Sequence, residues 1–93
     1  MIRRVKVSRR VEKQVLNLPR QVQTKLWIWV DLVAAESLEE VRKTPGWHDE
    51  PLVGRRHGTR SIRLNKAYRA IYRVVRDREA EVVSVEEVTK HDY

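Results

Sequence analysis

The sequence contains no cysteine, which excludes a disulfide framework and any thiolate metal site. It also lacks a signal peptide and any long apolar run, so a soluble, cytoplasmic chain with no membrane association is expected. No internal repeat, low-complexity tract or linker interrupts it. Its 93 residues suffice for one domain, residues 1–93, with a modest core. His48, His57 and His91 do not have metal-ligand spacing, and neither a Gly-rich nucleotide loop nor a Ser/His/Asp pattern occurs. Metal, nucleotide-triphosphate and acyl-transfer chemistry therefore find no support, and no cofactor is expected.

Negative charge is missing from one stretch in particular. Between Gly54 and Arg76 there is no carboxylate, while Arg55, Arg56, Arg60, Arg63, Lys66, Arg69 and Arg73 accumulate, with His57 among them. Just upstream stand Asp49 and Glu50. The chain as a whole has a formal charge of +7. Such an excess points to a polyanionic partner, nucleic acid first, because basic side chains that neutralise phosphates release condensed counterions. A merely solubilising surface is the bland alternative.

Residues 2–7, "IRRVKV", alternate as a short half-buried strand does. Ser8 can cap a helix carrying Val11, Val15 and Leu18 on one face, which "LPR" breaks. Val22, Leu26, Trp29, Val30 and Val33 then predict an antiparallel second helix over 19–36. Trp27, Ile28 and Leu32 project elsewhere, either onto the first helix or as a groove for a partner helix. Ser37 and Glu40 have capping-box spacing for a short helix over 38–43. After Gly58 the period becomes two, in "TRSIRLN", "AYRAIYRVVRD" and "AEVVSVEEVT", which predicts a three-stranded meander. With the first strand at an edge, the expected fold is α+β: an N-terminal helical hairpin packed on a twisted, mainly antiparallel sheet of about four strands. Tyr68, Tyr72 and Val74 should lie under the helices. Arg69 and Arg73 should lie on the open face with Ser61 and Arg63.

Several arginines on one sheet face form a phosphate cradle, since the guanidinium fork matches phosphate geometry and stays charged. Arg55, Arg56, Arg60, Arg63, Arg73 and Lys90 are the candidate RNA-binding residues. Glu50, stiffened by Pro51, is a candidate base; His91 and Tyr93, in the terminal "TKHDY", are groups that donate or relay protons near neutral pH. A carboxylate base, an arginine cradle around Arg69 and a terminal acid are the parts of metal-free RNA cleavage. In that reaction the 2′-hydroxyl is the nucleophile and the 5′-oxygen departs.

Three segments, "DEPLVG", "SIRLNKAYRAIY" and "VTKHDY", occur in an order and at separations that resemble the RelE/ParE superfamily of toxins from type II toxin–antitoxin systems, most closely its RelE, YoeB and HigB members. The resemblance implies an mRNA interferase that cuts the codon in the A site of the 70S ribosome and is held inactive by a cognate antitoxin. It implies Glu50 as general base, Arg69 as stabiliser of the transition state, a basic residue at Arg63, and a proton donor at His91 or Tyr93. Asp92 separates the last two, whereas YoeB-like chains have them adjacent. Two other readings share the fold or the arginines: a ParE-like inhibitor of DNA gyrase, and an RNA- or ribosome-binding module without turnover.

Overall fold

In the computed structural model, which describes residues 1–90, Ser8 starts the first helix as expected. Its backbone is extended and its Oγ accepts from the Val11 amide at 3.2 Å, opening α1 (Arg9–Leu16). Pro19 then opens α2 (Arg20–Glu36), where its fixed φ costs nothing and an amide would have no helical partner. Val22, Leu26, Trp29 and Val33 are completely buried, and Val30 and Leu32 pack beside them. Trp27 and Ile28 stay exposed. Ser37 ends α2 and caps α3 (Leu38–Arg42), its Oγ accepting from the Glu40 amide at 3.3 Å. Only half of the expected capping box forms. The Ser37 amide already donates to the Val33 carbonyl at 2.9 Å, and the Glu40 carboxylate pairs with Lys43 at 3.1 Å.

The strands are β1 (Val5–Val7), β2 (Glu50–Pro51), β3 (Arg60–Arg63), β4 (Tyr68–Asp77) and β5 (Ala80–Lys90), in the order β1-β5-β4-β3-β2. The sheet therefore has five strands rather than about four. The unforeseen one is β2, which is too short to show alternation and contains a proline. It pairs antiparallel with β3, Glu50 opposite Ser61 and Pro51 opposite Arg60. At an edge, proline's missing amide leaves no ladder bond unmade. Among the described residues, only β1 against β5 is parallel. Tyr72 and Ala70 are buried in the core, with Tyr68 and Val74 packed against it. The Tyr72 ring meets Trp29 at a centroid distance of 5.2 Å.

Two devices fix the sheet where the chemistry would lie. At the β3–β4 turn the Asn65 side chain accepts from the Ala67 and Tyr68 amides, both at 2.8 Å, which sets Arg63 opposite Arg69. At the other side β1 covers only Val83–Val85 of β5. Beyond it Gln14 of α1 takes over as a surrogate strand. Its Nε2 donates to the Val88 carbonyl at 2.6 Å and its Oε1 accepts from the Val88 amide at 3.1 Å. Replacing Gln14 by Ala strands both backbone groups in a partly buried place, so Gln14→Ala is expected to cost about 1–3 kcal/mol. Urea denaturation of the two proteins measures it; an unchanged midpoint would show that water replaces the amide at no cost.

Candidate active site

Trp47 is buried, with the Lys25 ammonium 4.6 Å from its ring centroid, and anchors the chain at the end of a short 3-10 turn, Pro45–Trp47. His48 follows in the left-handed region, φ 47°. The reversal sends the two neighbouring acids opposite ways. The Asp49 side chain turns inward and is only 2% exposed. Its Oδ1 accepts from Arg60 Nε at 2.5 Å and its Oδ2 from the Tyr72 hydroxyl at 2.5 Å. Arg42 Nε completes the cluster, 3.4 Å from the Tyr72 hydroxyl and 4.0 Å from Asp49 Oδ2. Burial first, and then the bond to Asp49, raise the Tyr72 pKa far above its ordinary 10.0, with Arg42 offsetting part of the effect. Burial works against the Arg60 charge, yet the hydrogen bond and charge of Asp49 outweigh it and hold the Arg60 pKa above its ordinary value.

Glu50 faces the other way and is exposed. Register carries it into a cross-strand row with Ser61, Ile71 and Glu87, since Glu50 opposes Ser61, Ser61 opposes Ile71 and Ile71 opposes Glu87. Ser61 is 1% exposed, and its Oγ accepts from Arg69 Nη1 at 2.8 Å, which aims the guanidinium along the sheet and leaves its other N–H groups free of Ser61. A cavity of about 390 Å3 on this face is lined by Glu50, Arg56, Ser61, Arg69, Ile71 and Thr89. A carboxylate, two guanidinium groups and the hydroxyls of Ser61 and Thr89 thus share one pocket.

The RNA-binding candidates divide. Arg63 is in register with Arg69, on its face. Arg55 and Arg56 lie exposed in a short 3-10 turn, Gly54–Arg56, above that face. Arg60 is in register with Tyr72 and so lies on the helix side, committed to Asp49. Lys90 pairs with Tyr68, one position out of phase with Arg69 and Thr89. Arg73 sits on the open face but is bound by Glu86, its Nε 2.7 Å from Oε1, and Arg56 is bound by Glu87. Those two carboxylates escaped the sequence reading. Strict alternation along "VSVEEV" would have put only one of them on this face, and a β-bulge opposite Ile71 and Tyr72 brings both. His91 and Tyr93 lie outside the described residues. Among the described residues no group of three or more His, Asp or Glu side chains could hold a metal ion, and no helix is long and apolar enough to cross a membrane.

Set against solved structures, the chain has the fold of small toxins from toxin–antitoxin systems, the RelE/YoeB-like fold. It is similar to the YoeB/ParE toxin from Agrobacterium tumefaciens, with a TM-score of 0.64 over 96% of this chain and 99% of that one at 19% identity. It is similar also to YafQ from E. coli strain BL21(DE3), with TM-score 0.70, coverage of 92% and 90%, and 18% identity. The archaeal RelE–RelB complex from Pyrococcus horikoshii gives 0.68, 94% and 92%, and 23%. No family model matches the chain and no curated protein matches its sequence.

The buried Tyr72 hydroxyl has a consequence for stability. Its pKa is raised on folding, so the stability it contributes is complete below pH 10.0, the ordinary phenol value, and is lost as pH rises beyond it, because the unfolded phenol then ionises while the folded one does not. Urea midpoints followed upward from pH 9 should fall more steeply for the wild type than for Tyr72→Phe. Parallel curves would mean that the Asp49 cluster does not hold this proton.

Proposed function

We propose that the chain is the toxin of a type II toxin–antitoxin system and acts in the cytoplasm as a ribosome-dependent endoribonuclease, cutting mRNA in the A site. The observation that carries the reading is the pocket in which Glu50 and Arg69 meet on one sheet face, with Ser61 holding the guanidinium. A gyrase inhibitor or a passive RNA-binding module has no need of a carboxylate facing a phosphate cradle.

In this mechanism Glu50 takes the proton of the ribose 2′-hydroxyl, whose oxygen attacks the adjacent phosphorus. Arg69 binds the phosphate oxygens and gains most as the pentacoordinate phosphorane accumulates charge. The 5′-oxygen leaves with a proton from His91 or Tyr93. A 2′,3′-cyclic phosphate and a 5′-hydroxyl end result, and atoms and charge balance without an external reagent. Arg55, Arg56, Arg63 and Arg73 supply further phosphate contacts. Arg60, held by Asp49, is a positioning residue that keeps β2 paired and Glu50 outward; Lys90, in register with Tyr68, is out of phase with Arg69 and is not among these contacts. A cognate antitoxin is the expected partner, as in the RelE–RelB and DinJ–YafQ complexes of the structural neighbours. The exposed Trp27 and Ile28 and the basic face are the two surfaces it would cover.

Arg69→Ala is expected to slow single-turnover cleavage on saturated, mRNA-programmed ribosomes roughly a hundredfold or more, about 3 kcal/mol, with little change in ribosome affinity. An unchanged rate at saturation would reduce Arg69 to a binding residue. Glu50→Gln, and separately truncation after Lys90, should each remove about a hundredfold or more of the rate and one limb of its pH profile. Full cleavage by the truncated protein would dismiss the terminal acid, and full cleavage by Glu50→Gln would dismiss the base.

A further inference from the structure

Next to the Glu50–Arg69 pocket, and sharing Arg56 and Ile71 with it, is a second depression of about 340 Å3. Its walls include Arg10, Arg55, Arg56 and Arg73, and two carboxylates, Glu86 and Glu87, stand among them. The carboxylates are there because of the β-bulge. Tyr72 opposes Val85 and Ile71 opposes Glu87, so Glu86 is the extra residue. Arg10 of α1 pins the bulge by donating from Nη2 to the Glu86 carbonyl at 2.8 Å. Each carboxylate then takes one arginine, Glu86 the Nε of Arg73 at 2.7 Å and Glu87 the Nη1 of Arg56. Both pairs remain partly exposed, with side-chain exposures of 44% and 37% for Arg73 and Glu86, and 45% and 31% for Arg56 and Glu87. Ion pairs of this exposure are weak and exchangeable. Arginine forks that accept a carboxylate accept a phosphate in the same geometry.

We propose that this depression is a phosphate subsite for the RNA strand where it runs on from the Glu50–Arg69 pocket, occupied in the free protein by Glu86 and Glu87 as resident anions that the RNA backbone must displace. The inference rests on the reading of the chain as an RNA-cleaving toxin. The two carboxylates tax every RNA equally, whatever its sequence. A loose strand in solution cannot offset that exchange, whereas a strand held in place elsewhere presents its phosphates without further ordering. Glu86 and Glu87 thus weaken capture of free RNA without touching the reacting atoms.

The test is fluorescence anisotropy with a short single-stranded 2′-O-methyl oligonucleotide, whose blocked nucleophile prevents cleavage. Glu86→Gln/Glu87→Gln should bind it on the order of tenfold more tightly than the wild type at low salt, because two exposed ion pairs no longer compete. Asp31→Asn/Glu36→Gln, the same charge change on exposed positions of α2, should gain clearly less. Adding Arg56→Gln and Arg73→Gln to the first variant should return affinity to the wild-type level. The subsite is overturned if the Glu86/Glu87 variant gains no more than the α2 control, or if the fourfold variant keeps the gain. Wild-type cleavage on ribosomes alongside either of those results leaves the nuclease reading standing and removes only the subsite. Binding by none of the proteins, together with no cleavage on ribosomes, removes both.

Discussion

The geometry of the open face depends on a carboxylate that is not on it. Asp49 is almost wholly buried, and an ion taken out of water is tolerated only when its lone pairs are filled and its charge is opposed. Arg60 from β3, Tyr72 from β4 and Arg42 from α3 meet both demands at once. One side chain therefore ties the edge strand β2 to β3 beside it, to β4 beyond, and to the third helix. Without that anchor a two-residue strand containing proline would have little to keep it paired. Glu50 follows Asp49 directly, and a strand sends successive side chains to opposite faces. Burying the first acid is what presents the second.

This arrangement separates two kinds of arginine that look alike in the sequence. Arg60 is spent on Asp49, and its guanidinium belongs to the architecture. Arg69 is oriented by a neutral partner, Ser61, so its charge is not cancelled by the contact that positions it. Arg56 and Arg73 stand between these cases, paired with carboxylates that water still reaches. A count of basic residues in the ribbon from Gly54 to Arg76 overstates the positive field on the open face, because β5 returns two negative charges to it. The bulge that delivers them is supported by Arg10 and Gln14 of α1, so the first helix shapes the charge of a surface on the far side of the sheet.

Much of this was legible in the residues. Ser8, Pro19 and the face of Val22, Leu26, Trp29 and Val33 announce α1 and α2 through local chemistry, caps and a 3.6-residue period. The arginines in "YRAIYR" exclude one face of β4 from the core, and Tyr72 and Ala70 are indeed buried under the helices. What could not be read off depends on pairing between distant segments. β2 exists because β3 offers it an edge, and Arg60 turns inward because β3 is in register with β4. The bulge in β5 shifts the phase of alternation, so that a period-two reading of "VSVEEV" loses one glutamate from the open face. The half-formed capping box at Ser37 fails for a similar reason: α2 runs directly into the cap and supplies the acceptor for its amide.

On the proposed reading, the shape of the face accounts for the need of a ribosome. Glu50 sits on an edge strand and is exposed; Arg69 lies two strands away in the sheet. Such a surface recognises phosphate charge but does little to freeze a flexible chain, and in-line attack requires the 2′-oxygen, phosphorus and 5′-oxygen to be aligned before reaction. The entropy of that alignment has to be met by something other than this domain. Binding free RNA more tightly would not help, since uniform binding stabilises ground state and transition state alike. A codon already stretched in the A site arrives with most of the ordering done, and a shallow, strongly basic face that carries its own competing carboxylates is suited to act there while leaving unstructured RNA intact.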